Sequence, residues 1–330
     1  MSPRRTAVSR SVVTLVIAWS LSGCTADTTN PVSSRAAPLS PNADGVRWSS
    51  WSAPVNLGPV VNSSANDQHP ALSRNGLSLF FTSDRPGGSG GLDLWVTHRD
   101  SIGGAWSAPV NLGATVNSAG TDMAPNLTVD GHRMFFHTDR PGGCGDFDLV
   151  VMWRQRIDDD LGWQAPVNLG CTINTAYKDA GPSYTEEGPS DTPTLYFTST
   201  RPGGFGDFDI YKSILQSDGT WGTAIHVPEL SGAFRDTRTA ISRTGLELIL
   251  SSDVGGRIGG LGGQDLWAST RASTSDPWST PANLGTTVNT TSFDGAPALS
   301  FDGTELYFFS NRPGGFGAND LYVTTRSRVH

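Results

Sequence analysis

Five aspartates recur along the chain at intervals of 55 to 58 residues, and each opens a short segment of strand-like sequence. They are Asp67, Asp122, Asp179, Asp236 and Asp294. Carboxyl groups contributed by separate segments can hydrolyse a glycosidic bond, which needs one acid and one base or nucleophile. Asp67, Asp122 and Asp179 are the candidates for these catalytic roles. Because every copy carries the aspartate, inheritance of a repeat explains it equally well, with each carboxylate capping its own loop.

Polar residues around these aspartates differ from copy to copy. The first copy adds His69, the third adds Lys178, and the fourth adds Arg235 and Arg238. If the five copies form a ring, these residues converge near the mouth of its central channel, which is where a concave binding site is expected. The predicted ligand-binding residues are Asp67, His69, Asp122, Lys178, Asp179, Arg235, Asp236, Arg238 and Asp294.

The elements that position these residues are five copies of one repeat, near 51–105, 106–162, 163–220, 221–277 and 278–330. Each copy opens on a tryptophan, and the five are Trp51, Trp106, Trp163, Trp221 and Trp278. Each copy holds four strand-like runs separated by turn residues, a pattern typical of a propeller blade. The sequence therefore predicts an all-β, five-bladed β-propeller with four antiparallel strands per blade. The N-terminal strand after Trp51 is expected to close the last blade.

The glycine-rich runs carry a family resemblance. FTSDRPGGSGGLDLWV and YFFSNRPGGFGANDLYV resemble the TolB-type, WD-like (PD-repeat) β-propellers of bacterial exported proteins, and the resemblance covers residues 51–326. It implies the fold but no single activity, because that family includes scaffolds, sensors and domains appended to enzymes. The fourth copy lacks the Arg-Pro-Gly-Gly phrase, which makes it a place to look for function. The resemblance to arabinanase-type glycoside hydrolases is one of architecture.

The Arg-Pro-Gly-Gly-x-Gly-x-x-Asp phrase predicts a tight turn whose aspartate accepts backbone N–H groups or pairs with the arginine. In two copies a second aspartate gives the pairs Asp146 with Asp148 and Asp207 with Asp209, which raises calcium as an alternative. Calcium needs six to eight oxygen ligands, more than two carboxylates supply. The histidines show no spacing typical of a metal site. No metal site or cofactor is therefore predicted, with calcium as the alternative.

The N-terminus reads as an export signal. Arg4, Arg5 and Arg10 precede a short apolar stretch, and Leu21-Ser22-Gly23-Cys24 resembles a lipobox, in which Cys24 is lipidated. The predicted organisation is a signal peptide at 1–23, the lipidated cysteine and a flexible tether at 24–47, and a propeller at 48–330. Ordinary secretion with cleavage near Ala26 is the alternative. Thr25 gives no retention signal of the aspartate type, which favours an outer-membrane anchor.

The net charge restricts the possible binding partners, and the two remaining cysteines raise the possibility of a disulfide. The formal net charge is −8, and removal of the three arginines of the signal peptide takes it to about −11. An acidic protein repels phosphate backbones, so nucleic acid is excluded as a partner. Cys144 and Cys171 can pair in an oxidising compartment.

These patterns predict a monomeric, non-enzymatic lipoprotein of the cell envelope. Its top face, the face on which the inner strands begin, is expected to bind a glycan, a peptidoglycan fragment or an envelope protein. The alternative is a hydrolase acting on polysaccharide with carboxylates at the channel mouth. The repeated tryptophans are expected to pack between outer strands, and they favour sugar stacking only if their rings are exposed.

Overall fold

The computed structural model describes residues 46–187, 192–253, 255 and 257–329. These residues form 22 strands, of which twenty make five antiparallel four-stranded sheets arranged as the blades of a propeller. From the inner to the outer strand, the blades are β3 (Asp67–Leu72), β4 (Ser78–Ser83), β5 (Asp93–His98) and β6 (Val110–Asn111); β7 (Asp122–Leu127), β8 (Arg133–Thr138), β9 (Asp148–Trp153) and β10 (Val167–Asn168); β11 (Asp179–Glu187), β12 (Thr192–Ser199), β13 (Asp209–Ile214) and β14 (Ile225–His226); β15 (Asp236–Ile241), β16 (Glu247–Asp253), β17 (Gln264–Thr270) and β18 (Ala282–Asn283); and β19 (Asp294–Leu299), β20 (Glu305–Ser310), β21 (Asp320–Thr325) and β2 (Val55–Asn56). The predicted fold is confirmed. The predicted signal peptide, Cys24 and almost all of the tether lie outside the described residues.

Adjacent aromatic residues on the second strand of a blade pack against both neighbouring blades. Phe80 and Phe81 are both 0% exposed. Phe80 belongs to an apolar cluster shared with blade two, and Phe81 belongs to a cluster shared with blade five. Since successive side chains of a strand point to opposite faces, such a pair fills both interfaces of the blade.

The ring closes as the sequence predicts. In blade five β2 pairs with β21, so that Val55 lies opposite Val323 and Asn56 opposite Tyr322. A second pairing, between β1 (Arg47–Trp48) and β22 (Arg328–Val329), was not predicted. Joining the ends in this way leaves the ring without an unpaired gap between its first and last blades.

Three of the five repeated tryptophans are buried. They are Trp51, Trp163 and Trp278, each of which lies under an arginine guanidinium; Trp106 and Trp221 are half-buried at the edges of the apolar clusters. Cys144 and Cys171 form a disulfide between two loops of blade two, with their Cα atoms 5.6 Å apart. Within the described part of the chain, no helix is long and apolar enough to cross a membrane.

Candidate active site

The five repeated aspartates open the inner strands, as predicted, but they are buried in ion pairs. Asp122 is 0% exposed. Its Oδ2 accepts hydrogen bonds from the backbone N (2.5 Å) and Oγ (2.9 Å) of Ser118, and its Oδ1 accepts one from Nη2 of Arg140 at 2.6 Å. The equivalent ion pairs are Asp67 with Arg85, Asp179 with Arg201, Asp236 with Arg257 and Asp294 with Arg312.

This geometry bears directly on the three catalytic candidates. Asp67, Asp122 and Asp179 are each 0% exposed, and both oxygens of each carboxylate accept hydrogen bonds from their own blade. A general acid or base must reach the substrate directly or through one water. In this structure the three carboxylates instead fasten the loop that enters the inner strand to the loop that leaves the second strand.

Blade four keeps this ion pair by a different route. Its loop lacks the Arg-Pro-Gly-Gly phrase, yet Arg257 reaches Asp236 at 3.0 Å and also donates to the carbonyl of Leu230 at 2.6 Å. Burial raises the pKa of Asp236, and Arg257 opposes that shift. The irregular sequence of this loop therefore changes its path without losing the ion pair.

The aspartates of the glycine-rich phrase accept backbone N–H groups, which is one of the two predicted arrangements. Oδ2 of Asp148 accepts from the N of Cys144 at 2.6 Å and from Nδ2 of Asn168 at 3.0 Å. The arginines of the phrase pair with the inner-strand aspartates instead. No three of the described His, Cys, Asp and Glu side chains come together as potential metal ligands. Calcium binding at Asp146, Asp148, Asp207 or Asp209 stays a prediction.

The predicted cations divide between the channel and its rim. His69 is partly buried and Arg238 is 3% exposed, both at the level of the inner strands. Lys178 is half-buried and lies over Phe147, and Arg235 remains 48% exposed on the top face. The structure thus brings His69 and Arg238 together inside the channel and leaves Lys178 and Arg235 at its rim.

A second ring of polar residues, which the sequence analysis missed, follows the second strands. Asp84 and Asp139 are exposed, and their Oδ1 atoms accept the backbone N–H groups of Asn66 and Thr121, each at 2.7 Å. Asp253 occupies the matching place in blade four. Because all second strands run in the same direction, these carboxylates lie on the same top face as the starts of the inner strands. The signal was the residue directly before each Arg-Pro, which is aspartate in blades one and two.

Asp253 differs from the other two rim carboxylates in its burial and its neighbours. Its side chain is 25% exposed, its Oδ2 lies 3.9 Å from Nε of Arg235, and its Oδ1 accepts a long hydrogen bond of 3.4 Å from Gln264. Burial raises the pKa of Asp253; Arg235 opposes this shift and Asp207 adds to it. A carboxyl group with a raised pKa is suited to act as a general acid, and Asp84 and Asp139 lie on the same face but on blades one and two, which are not adjacent to blade four.

The opposite end of the channel also holds a cavity. It has a volume of about 290 Å³, and Arg74 and Arg243 lie over the ring of Phe301 in its wall. None of the predicted ligand-binding residues lines it. One carboxylate lines this cavity, that of Glu186, and its Oε1 accepts a hydrogen bond from the hydroxyl of Tyr184 at 3.1 Å, whereas the rim carries carboxylates on three blades.

Comparison with solved structures identifies several sugar-cleaving enzymes with the same chain path. The family-43 glycoside hydrolase described as thermostable matches with a TM-score of 0.54 and 10% identity over 84% of this chain and 93% of its own. An α-L-arabinofuranosidase from Lactobacillus brevis matches with a TM-score of 0.55 and 14% identity over 82% and 92%. An exo-1,5-α-L-arabinanase from a bovine ruminal metagenomic library matches with a TM-score of 0.55 and 14% identity over 82% and 99%. The chain has the fold of these propellers. No protein-family model and no curated protein sequence matches it.

These neighbours correct two sequence-based predictions. The assignment to TolB-type, WD-like propellers is wrong, because the matching structures are glycoside hydrolase propellers and only the propeller fold is shared with the predicted family. The prediction of a non-enzymatic binding protein is contradicted by the same structures, which favour the hydrolase alternative. At 10 to 16% identity the similarity extends to the fold alone.

Proposed function

We propose that the chain is a glycoside hydrolase that acts on a polysaccharide at the top rim of the channel. The observation that carries the proposal is the set of three rim carboxylates on separate blades, one of which, Asp253, is partly buried and has a raised pKa. Asp253 supplies the proton to the leaving sugar oxygen, while Asp84 or Asp139 acts as the base or nucleophile. Water adds across the cleaved glycosidic bond, and the proton on Asp253 is restored at the end of the cycle.

The surroundings of Asp253 suit a general acid. Arg235 lies close enough to orient the carboxyl group, but its 3.9 Å separation and 48% exposure leave the attraction weak. Partial burial therefore dominates and holds the group protonated to a higher pH than an exposed aspartate. Asp84 and Asp139 are exposed, so they are placed to meet a substrate from solvent.

The similar structures suggest which glycans to test first. Several of them are named as arabinofuranosidases or an arabinanase; one of these arabinofuranosidases is in complex with cellotriose, and a further hydrolase is in complex with xylotriose. We propose a plant-type or cell-wall polysaccharide as the partner, with arabino- and xylo-oligosaccharides as the first panel. Turnover is measured as release of reducing sugar by the purified protein, with and without added calcium.

The decisive variant is Asp253→Asn, which keeps the side chain's size and removes its proton. We expect a loss of turnover of about 100-fold or more, the usual contribution of a general acid. Asp84→Asn and Asp139→Asn identify the second carboxylate, and Asp158→Asn is the matched control because Asp158 is an exposed residue paired only with Arg156. Turnover that survives in all three rim variants, or no turnover on any glycan, overturns the proposal.

We also propose that the enzyme is anchored to the outside of the cell through lipid on Cys24, where polysaccharides are accessible. The apolar stretch and the Leu-Ser-Gly-Cys sequence support this location. Incorporation of a labelled fatty acid that is lost in Cys24→Ala is the expected result. A peptidoglycan fragment or an envelope protein as partner, and a monomeric state, stay predictions that pull-down and light scattering can test.

A further inference from the structure

The central channel contains a buried arginine that pairs with no carboxylate of the described residues. Arg238 is 3% exposed and lies at a bulge of β15, where its φ is +42°. The matching bulges of the other inner strands carry His69, Ala124, Gly181 and Ala296, also at positive φ. A bulky residue in this backbone region is uncommon and often marks a functional position. Blade four alone places an arginine at this level.

The guanidinium of Arg238 crosses the channel. Its Nη2 donates to the carbonyl oxygens of Pro125 at 2.6 Å and Pro70 at 3.3 Å, which belong to blades two and one. Its Nε and Nη1 are buried, and no atom in the described part of the chain accepts a hydrogen bond from them. These two nitrogens carry three of the five N–H groups of the guanidinium, so most of its donors are unsatisfied.

No negative charge in the described residues balances this cation. None of their carboxylates forms an ion pair with Arg238, whereas Arg99, Arg154 and Arg326, which are buried to a similar extent, each pair with a carboxylate. Burial lowers the pKa of Arg238 to about 9, so the side chain is still charged at neutral pH. A buried charge without a partner is strongly unfavourable.

The neighbouring histidines add no negative charge. Burial lowers the pKa values of His69 and His137, and the charge of Arg238 lowers them further, so both rings are neutral near pH 7. Nδ1 of His137 accepts the N–H of Gly181 at 3.2 Å, whereas Nδ1 of His69 is buried without a partner. The site is therefore rich in donors and carries one net positive charge.

A small cavity lies next to this level of the channel. It has a volume of about 60 Å³, and its lining includes Ala71, Asn126, Ser183 and Thr239, one or two residues beyond the bulges; Arg238 directly precedes Thr239 but is not itself a lining residue. One water molecule takes up about 30 Å³ of the liquid, so the space accepts an ion of a few atoms. A large ligand does not fit at this level of the channel.

We propose that the central channel binds a small monovalent anion, a halide or a carboxylate group, at Nε and Nη1 of Arg238. The anion balances the buried guanidinium and occupies donors that the protein leaves free. The site does not depend on the proposed hydrolase activity, because occupancy and stability report on it without any turnover. Its carboxylate could come from a free small acid or from an acidic sugar bound above it.

The first test is the location of bromide in crystals of the wild-type protein. Bromide replaces chloride and is identified by its anomalous scattering. We expect an anomalous peak in the channel within hydrogen-bonding distance of Nε or Nη1 of Arg238. A channel that holds only water, with no peak at Arg238, overturns the proposal. This measurement needs no variant and so does not depend on whether a substitution folds.

The second test is the melting temperature at constant ionic strength, with a bulky sulfonate as the background anion. An anion that binds only the folded state raises Tm in a saturable way, by about 5 °C for the wild type at 100 times Kd. Arg238→Met should lose this response and melt no lower than the wild type in the sulfonate buffer, because the unpaired charge is gone. Arg156→Met is the matched control, since Arg156 is 72% exposed and distant in sequence from the channel residues. A full response in Arg238→Met refutes the assignment.

Comparison of ligands separates the two sources of a carboxylate. Chloride and formate that raise Tm, with galacturonate inactive, indicate a free small anion. Galacturonate that raises Tm in the wild type but not in Arg238→Met indicates the carboxylate of an acidic sugar. Either result supports the site, and the absence of any response to all three refutes it.

Discussion

Glu247→Gln should be among the most destabilising single substitutions at the interface between two blades. Glu247 lies on β16 of blade four, and Arg326 follows β21 of blade five. Their two hydrogen bonds are 2.7 and 2.6 Å long, and the side chains are 2% and 1% exposed. The guanidinium also lies between the rings of Trp48 and Trp51, 4.2 and 4.3 Å from their centroids. Arg326 therefore cannot turn to water when its partner is lost.

The magnitude follows from this burial. Glutamine keeps the shape of Glu247 but leaves a buried guanidinium without a counter-charge, which costs about 3–5 kcal/mol of unfolding free energy. For a domain of this size each kcal/mol lowers Tm by about 2 °C, so we expect a decrease of about 6–10 °C. Replacing both partners, as in Glu247→Leu with Arg326→Met, should recover much of the loss because no unpaired charge remains.

Calorimetry on a graded series of ion pairs tests this reasoning. Glu305 makes the equivalent contact with Arg99 between blades five and one, but through one hydrogen bond of 2.9 Å and with 15% of its side chain exposed. Glu305→Gln should therefore lower Tm by less than Glu247→Gln. Asp158→Asn breaks a pair that is 67 to 72% exposed and should leave Tm unchanged. Equal effects in all three variants, or a Glu247→Gln protein that melts with the wild type, would refute the reasoning.

Three further predictions concern the same domain. Asp122→Asn removes the buried negative charge that pairs with Arg140, so it should lower Tm by several degrees while kcat on any substrate stays within a few-fold of the wild type. A selective loss of kcat with an unchanged Tm would contradict the structural role of Asp122. Since the pKa of His137 is lowered to about 3, the unfolded chain takes up a proton below about pH 6.5 that the folded chain does not. The unfolding free energy should therefore fall as the pH drops from 6.5 toward 3, by up to about 1.4 kcal/mol per pH unit. In denaturant titrations His137→Gln should flatten this dependence, whereas the control His98→Gln, at an exposed site, should not. The disulfide spans 27 residues, so Cys144→Ser with Cys171→Ser should lower the unfolding free energy by about 3–4 kcal/mol, and an unchanged calorimetric Tm would count against it.

The architecture could be predicted from the sequence because every copy repeats the same turn chemistry. The four strand-like runs of each repeat became four strands, and β2 completed the last blade as the phrase after Trp51 indicated. The pairing of β1 with β22 could not be predicted, since Arg47–Trp48 and Arg328–Val329 lie outside the repeated phrases. Placement of the inner-strand aspartates was also correct, because position within a repeat determines position within a blade.

The roles of those aspartates were harder to predict. Ser83 lies opposite both Asp67 and Asp93 in the sheet, so strand pairing alone does not decide which carboxylate Arg85 meets. Side-chain placement decides it: Nη2 of Arg85 donates to Oδ1 of Asp67, whereas Asp93 accepts hydrogen bonds from Ser89 and Asn111 at its Oδ2. In the sequence Asp93 is the nearer aspartate to Arg85, and only the packed structure shows that Arg85 pairs with the more distant Asp67.

Symmetry explains why the functional proposals concentrate on blade four. Five equivalent ion pairs stabilise the ring but cannot by themselves distinguish one ligand from another, so a specific site requires a blade that differs. Blade four retains the ion pair through Arg257 and at the same time carries Asp253, Arg235 and Arg238. Asp253 lies at the rim, where a sugar chain can reach it, whereas Arg238 lies inside the channel, where only a small group fits. Loss of turnover in Asp253→Asn with an intact bromide site would therefore show that the two features of this blade act independently.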